Sequence, residues 1–300
     1  MAWTEGPGSD TRQEVAGFRG ETMPYRHAHF YVGFVLLVVL TGFWASYFAP
    51  IASPMPLAFH VHASTATTWL LLLVVQSLVI HRHHRALHKV MGRTSFALFP
   101  LLILGFAMII DVSADRYAVR ESDFIAYVGP SFGIGMGVAI AAYLTLFYQA
   151  LKHRRAVRLH SGYMLATPLI LFESPFSRAM DQFFPWMNVI RSEGPHGLLD
   201  TIVVSNTLVS AFALALYLRD RKNGTPWLVA IGFMTLQSIT MWFGPDWPLL
   251  GRLFAAYSLV PDWICFAAAL LAGAAAGWFG WHAAPGSRRR EPAAGALPQT

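Results

Sequence analysis

The sequence predicts an all-α fold, a polytopic bundle of transmembrane helices. Of its 300 residues, 55% are hydrophobic and 13% are charged, whereas a soluble domain carries about 25% charged residues. No Lys, Arg, Asp or Glu occurs between His27 and His81, a run long enough for two spans of ~20 residues. Lys and Arg also accumulate in alternate loops, on one side of the predicted spans, as is typical of multi-pass proteins.

The predicted spans follow one another through a transmembrane domain at residues 29–282. Prolines at positions 50, 54 and 56 interrupt the first apolar run, because proline removes a backbone donor and ends helices. The fifth span is short and contains Pro168 and Glu173, so a broken helix there would leave seven spans instead of about eight. The spans are Phe30–Phe48, His60–Ile80, Thr94–Ile110, Ala126–Leu151, His160–Ser174, Leu198–Leu218, Trp227–Phe243 and Asp262–Trp281.

The distribution of positive charge predicts the orientation, since Lys and Arg accumulate in cytoplasmic loops. With the N-terminus in the cytoplasm, seventeen of the 22 Lys and Arg residues fall in inner segments. Eight spans with both termini cytoplasmic therefore fit best, and the expected location is a bacterial inner membrane. Nucleic-acid binding is excluded, because no basic run is long enough to follow a phosphate backbone.

Polar ends flank the predicted membrane domain. Residues 1–28 are polar and lack the apolar core of a signal peptide, and residues 283–300 are predicted to be a disordered cytoplasmic tail. The histidine-containing core is predicted at residues 59–178. The single cysteine, Cys265, excludes disulfides, zinc ribbons and covalent haem attachment within one chain.

The histidines divide into two groups by depth. His60 and His81 are 21 residues apart in one span, which at 1.5 Å per residue separates them by ~30 Å, the thickness of the hydrocarbon core. His60 and His62 are therefore predicted at the outer surface, and the others of this region at the inner one. No single metal ion could bind both groups. The inner group comprises His81, His83, His84 and His88.

Haem is the first chemical hypothesis. A b-type haem needs two imidazoles from different helices at one depth, and His88 and His160 begin two spans that both start at the inner surface. We expect them to form an inner site, and His60, with or without His62, an outer one. His62 and His84 are also predicted metal ligands, although His81, His83, His84 and His153 could equally anchor helix ends at the head groups.

Two other hypotheses compete with haem. A membrane di-iron enzyme needs several His-x-x-His-His clusters, and only His81–His84 approximates one; no H-E-x-x-H zinc motif is present. A transporter or sensor without a cofactor would use the polar stripe of His62, Trp69 and Gln76 in a central second span. Glycines of the fourth span would line or pack such a pathway. Whether the protein is an enzyme stays open.

Few carboxylates lie near the predicted spans. Glu173 lies within the bilayer only if the fifth helix continues past it, and Arg178 would then be its partner. Asp200 and Asp262 fall in the first turns of the sixth and eighth spans, where the helix dipole favours carboxylates. Capping is the simplest explanation for both.

Three segments carry a family resemblance. FHVHASTATTW (Phe59–Trp69), LHKVMGR (Leu87–Arg93) and RLHSGYMLATPL, followed by Ser177-Arg178, resemble uncharacterised bacterial multi-pass proteins with helix-start histidines. They are also similar in motif to the four-span cytochrome oxidase maturation factors. The resemblance implies haem or metal handling by His60, His88 and His160, close packing at Gly92, a helix-end charge at Arg178, and respiratory-chain components as partners. This chain has about twice as many spans.

Overall fold

A computed structural model describes residues 24–283, which form nine α-helices without a β-strand in that range. The predicted N-terminal segment and C-terminal tail lie almost wholly outside these residues. The helices are α1 (Ala28–Gly42), α2 (Leu57–His81), α3 (Arg85–Ala118), α4 (Asp123–Lys152), α5 (Val157–Phe183), α6 (Gly197–Arg219), α7 (Thr225–Trp242), α8 (Pro248–Tyr257) and α9 (Asp262–His282). A π-helical turn, Trp44–Phe48, follows α1, and single 3₁₀ turns lie at Pro185–Met187, Gly194–His196, Arg221–Asn223 and Gly244–Asp246.

Five helices are long and apolar enough to cross a membrane: α2, α3, α4, α6 with its preceding turn, and α9. The first helix, α1, is apolar but only 15 residues long. Large apolar side chains are exposed on the outward faces of these helices, including Leu71, Leu101, Leu208 and Leu271. A helix satisfies its own backbone hydrogen bonds, so such segments are suited to lipid. These features are those of a multi-pass membrane protein.

The connecting turns separate into two groups at opposite ends of the bundle. At one end, Arg154 Nη1 donates to the carbonyl of Trp281 at 2.6 Å, and His81 Nε2 lies 3.3 Å from the carbonyl of Pro24. This end therefore contains the first and last described residues together with three turns, α2–α3, α4–α5 and α6–α7. This end, called the basic end below, carries twelve of the seventeen Lys and Arg residues in the described range.

The alternative of a broken fifth helix is not found, because α5 runs unbroken for 27 residues through both of its prolines. A proline at position 168 leaves the carbonyl four residues earlier, that of Met164, without its helical donor. The Thr167 hydroxyl donates to that carbonyl at 2.8 Å and restores the lost bond. α5 packs against α1, α4, α6 and α7, so its polar residues are shielded from lipid by neighbouring helices.

Two further elements differ from the sequence prediction. α3 continues beyond Ile110 to Ala118, and the ten-residue α8 was not predicted. The expected packing role of the glycines in α4 is confirmed for three of four: Gly129 lies against Tyr117, Gly133 against Phe254 of α8, and Gly135 against Met241, whereas Gly137 has no neighbour within 4 Å. Missing Cβ atoms in α4 thus let α7 and α8 approach it.

Candidate functional site

The polar stripe of α2, in which His62, Trp69 and Gln76 recur every seven residues, faces the inside of the bundle. Trp69 is fully buried, and its indole Nε1 donates to Thr167 Oγ1 of α5 at 2.9 Å. The indole also meets Phe99 of α3 and Phe147 of α4, with ring centroids 5.5 and 5.7 Å away. One side chain of α2 therefore contacts three other helices. The stripe thus turns toward neighbouring helices, but the predicted central position of the second span is wrong, because α2 packs mainly against α3 and α1. The three rings form an aromatic plug between the two ends.

Gln76 and two histidines form a polar cluster between this plug and the basic end. Gln76 Nε2 donates to the backbone carbonyl of His88 at 3.1 Å. A Cβ added at Gly92 would lie 3.3 Å from the same Nε2, so α3 passes close to α2 at this level. Gly92 therefore does occupy a tightly packed position, as the resemblance implied. Gln76 Oε1 is buried without a hydrogen-bond partner.

His160 enters this cluster from α5. Its Nδ1 lies 2.8 Å from the carbonyl oxygen of Ala150. Because a carbonyl can only accept, Nδ1 carries the proton, and in the neutral ring the lone pair is on Nε2. This arrangement is the one that metal-ligating histidines use, with one nitrogen hydrogen-bonded to a carbonyl and the other at the metal.

His88 enters the same cluster from α3. It lies within electrostatic range of His160, and its Nδ1 is buried without a hydrogen-bond partner. Each histidine is the fourth residue of its helix, since α3 begins at Arg85 and α5 at Val157. His88 and His160 therefore begin their helices at the same end of the bundle, near enough to interact electrostatically, although no hydrogen bond or ring contact joins them among the described residues.

The other histidines of this end have separate environments. His84 is exposed at the position preceding α3, and its predicted role as a metal ligand stays a prediction. Both ring nitrogens of His81 point at carbonyls, Nδ1 at Ser77 (2.6 Å) and Nε2 at Pro24, which ties α2 to the segment before α1. His153 stacks on Tyr163 with ring centroids 5.8 Å apart. His81 and His153 thus make contacts within the protein at helix ends, and their anchoring at lipid head groups stays a prediction.

The predicted outer histidines lie at the opposite end of α2 and face different surroundings. His60 Nδ1 is 3.1 Å from the hydroxyl of Tyr47. His62 lies edge-on to Phe106, with centroids 4.7 Å apart, and its Nδ1 is buried without a partner. His196 instead contacts Tyr127 and Trp242. In residues 24–283 no hydrogen bond or ring contact joins His196 to His60 or His62.

Glu173 is buried on α5, and Arg178 lies five residues further along the same helix. Arg178 lies in electrostatic range of both Glu173 and His62, and it is not at a helix end, because α5 continues to Phe183. Its Nη1 donates to the carbonyl and hydroxyl oxygens of Ser174, at 3.0 and 2.7 Å. No ion pair within 4.0 Å joins the Arg178 guanidinium to Glu173 in the described structure, so the predicted pairing is only long-range.

Some buried polar residues were missed or misjudged from sequence. Asp200 is fully buried, and its carboxylate accepts from Ser192 N at 2.6 Å and Asn188 Nδ2 at 3.3 Å. It fixes the preceding loop instead of capping its helix. Asp111 is buried on α3, one residue beyond the predicted end of that span. A predicted third span that continued past Ile110 would have included Asp111.

Among residues 24–283, no group of three or more His, Cys, Asp or Glu side chains could hold a metal ion. A bare ion at His88 and His160 would therefore have two protein ligands, fewer than the three or four of zinc sites. Comparison with known protein families, curated proteins and solved structures finds no match for this chain. The site therefore has to be interpreted from its own chemistry.

Proposed function

We propose that the protein binds haem b between His88 and His160 at the basic end of a transmembrane bundle. The observation that carries the proposal is the pair itself: two imidazoles from separate helices, within electrostatic range at one level, each with a ring nitrogen that the protein leaves unused. Buried polar atoms are nearly always hydrogen-bonded. Iron bound at His88 Nδ1 would give that buried atom a partner.

Haem fits this pair better than a bare metal ion. Haem iron takes two ligands from protein, which is the number of histidines in the cluster with Gln76. Both helices present their N-termini here, and helix N-termini favour negative charge. Arg85 lies in the first turn of α3, and Lys89 follows directly after that turn. Haem propionates are anionic, so they match this electrostatic environment, whereas an added divalent cation does not.

The proposed setting is a bacterial inner membrane crossed by eight helices, with both ends of the chain in the cytoplasm. Its support is the concentration of Lys and Arg at the basic end, where cytoplasmic loops are expected. The proposed role is electron transfer or assembly of a respiratory oxidase. That role rests on the resemblance at His60, His88 and His160, which is also the only support for respiratory-chain partners.

A second site at the opposite end is part of this proposal. His62 offers one buried ring nitrogen without a partner, and His60 is already engaged by Tyr47. Fourteen residues separate His62 from Gln76, or ~21 Å along α2. The aromatic plug at Trp69 lies between the two levels, so electrons moving between them would pass through aromatic side chains.

The visible spectrum of the protein purified in detergent tests the haem proposal. Bis-histidine haem gives a sharp α-band on reduction with dithionite, and His88→Ala and His160→Ala should each abolish it. His282→Ala is the matched control, because this exposed histidine at the same end bonds its own helix at Trp278. A flat spectrum with no bound metal would contradict the proposal. A flat spectrum together with stoichiometric iron, copper or zinc would mean that the site binds a metal ion instead of haem.

A cofactor-free transporter or sensor is the second candidate, and one observation favours it. Glu173 is buried at 6% exposure and accepts no hydrogen bond in the described structure, while Arg178 lies within electrostatic range. Ionisable groups enclosed in a membrane bundle often mark a substrate or proton pathway. Proton flux into liposomes by colourless, metal-free protein, lost in Glu173→Gln and kept in the exposed Glu121→Gln, would favour this candidate.

A further inference from the structure

A groove with a volume of about 1090 Å³ opens at the basic end between α1, α5, α6 and α7. Its rim is strongly cationic, and its lining has a single carboxylate, that of Asp220. Arg158 Nη1 lies 3.2 Å from an Asp220 carboxylate oxygen, so these two charges offset each other. The basic side chains of the lining are Arg26, His27, Arg155, Arg158, Arg219 and Lys222.

The groove changes from cationic to apolar with depth. On α5, Arg158 lies at the rim and Leu165 follows seven residues later; on the antiparallel α6, Phe212 precedes Arg219 by seven. Seven residues correspond to ~10 Å along a helix axis. Both walls therefore pair a basic residue at the end of the bundle with an apolar one two turns deeper.

Unpaired positive charge remains at the rim after the Arg158–Asp220 ion pair. Arg26, Arg219 and Lys222 make no ion pair with a carboxylate of residues 24–283. Deeper in the groove, Phe212 is 44% exposed and lies 5.6 Å from Tyr31, measured between ring centroids. An exposed aromatic wall below a cationic rim leaves apolar surface that an acyl chain could cover.

We infer that this groove binds an anionic phospholipid, with the phosphate at the rim and one acyl chain along Leu165 and Phe212. Basic residues near a membrane surface attract anionic head groups, and the apolar wall two turns deeper is suited to contact with an acyl chain. Inorganic phosphate would use the rim alone, and a zwitterionic lipid would gain no net attraction from it. An anionic phospholipid complements both halves of the groove. The inference is independent of the proposed haem site.

Equilibrium binding of phosphatidylglycerol to the full-length protein in neutral detergent tests this inference. Removing one surface charge weakens attraction by about fivefold, so the double variant Arg219→Gln/Lys222→Gln should bind about 25-fold more weakly. The matched control is Arg82→Gln/Arg93→Gln, which removes two exposed charges at the same end outside the groove lining and should change binding by less than about twofold.

Asp220→Asn provides a variant with the opposite expected sign. Removing the carboxylate frees the Arg158 guanidinium for the lipid phosphate, so phosphatidylglycerol should bind about fivefold more tightly. This gain cannot result from misfolding, and it keeps the inference testable if the double variant is unstable.

Two further measurements distinguish binding of an anionic lipid from binding of free inorganic phosphate. Phosphatidylcholine should bind much more weakly than phosphatidylglycerol, and inorganic phosphate at the lipid concentration should not displace the lipid. Equal binding of the two lipids would overturn the inference. Displacement by inorganic phosphate would overturn it as well, because the groove would then be an anion site only.

Discussion

The Nδ1 atom of His160 lies 2.8 Å from the carbonyl oxygen of Ala150, in the last turn of α4. The last carbonyls of a helix lack an intrahelical donor, so His160 satisfies one of them. The same bond fixes the start of α5 to the end of α4 and leaves the Nε2 lone pair available. His160 thus combines a structural contact with an unused ligand position, whereas His88 has only the unused position.

This difference predicts unequal effects on stability in protein free of haem and metal. His160→Ala leaves a buried carbonyl unpaired and should lower the free energy of unfolding by about 1–3 kcal/mol. His88→Ala removes a ring nitrogen that has no partner and should cost less. Thermal unfolding of both variants in one detergent measures the difference. Equal losses, or a larger loss for His88→Ala, would contradict the hydrogen-bond assignment.

A second prediction concerns the contact between α1 and α5. A Cβ on Gly42 would collide with the backbone carbonyl of Pro175, and backbone cannot move aside as a flexible side chain can. Gly42→Ala should therefore destabilise the bundle by about 1–3 kcal/mol through overpacking. Gly33→Ala on the same helix is the control, because nothing lies within 4 Å of its added Cβ. It should be neutral or stabilise by up to about 1 kcal/mol through helix propensity.

Trp69→Phe tests the centre of the bundle. The substitution keeps an aromatic ring against Phe99 and Phe147 but removes the donor to Thr167 Oγ1, so we expect a loss of about 1–3 kcal/mol. Trp278→Phe serves as the comparison, since Trp278 is 63% exposed. Chemical or thermal unfolding in detergent gives both values. Similar losses at the two positions would mean that Trp69 is not the central contact.

The Arg158–Asp220 contact predicts a pH dependence of stability. Hydrogen bonds from Asn223 and the adjacent Arg158 guanidinium lower the pKa of the Asp220 carboxyl below its ordinary value. Its contribution is therefore complete above the unfolded-state pKa of ~3.9 and is lost as the pH falls through the lower folded-state pKa.

Wild type should consequently have a higher melting temperature than Asp220→Asn at about pH 7 and about pH 5, and the gap should close only near pH 3. Melting curves of the two proteins at these pH values provide the measurement. A gap that closes already between about pH 7 and pH 5 would show that the carboxyl titrates too high for this account.

The long elements of the fold could be predicted from sequence because apolar runs and prolines determine them locally. Each of the eight predicted spans overlaps a helix of at least 15 residues. The bounds were less accurate where a tertiary contact decides them. The Thr167 hydroxyl donates to the carbonyl that Pro168 leaves without a helical donor. The spacing of apolar residues in α5 does not show that this hydrogen bond forms. α8 was missed because its ten residues are too few for a span and pack mainly through Phe254.

Part of the candidate site could also be predicted. Counting residues along α2 separated the histidines by depth, and the helix starts placed His88 and His160 at one level. The bond from His160 to Ala150 and the enclosure of Glu173 beside Arg178 could not be predicted, since both depend on how α5 packs against neighbouring helices. The groove at the basic end likewise depends on four helices brought together by the fold.

The most direct test of the central claim is the haem or metal content per chain of wild type, His88→Ala, His160→Ala and the double variant. If the two imidazoles share one site, each single variant should lose the whole of the content at the basic end, and the double variant should lose no more. His282→Ala should keep the wild-type content. Wild-type protein without haem or metal, or single variants that each lose a separate part of the content, would contradict the account.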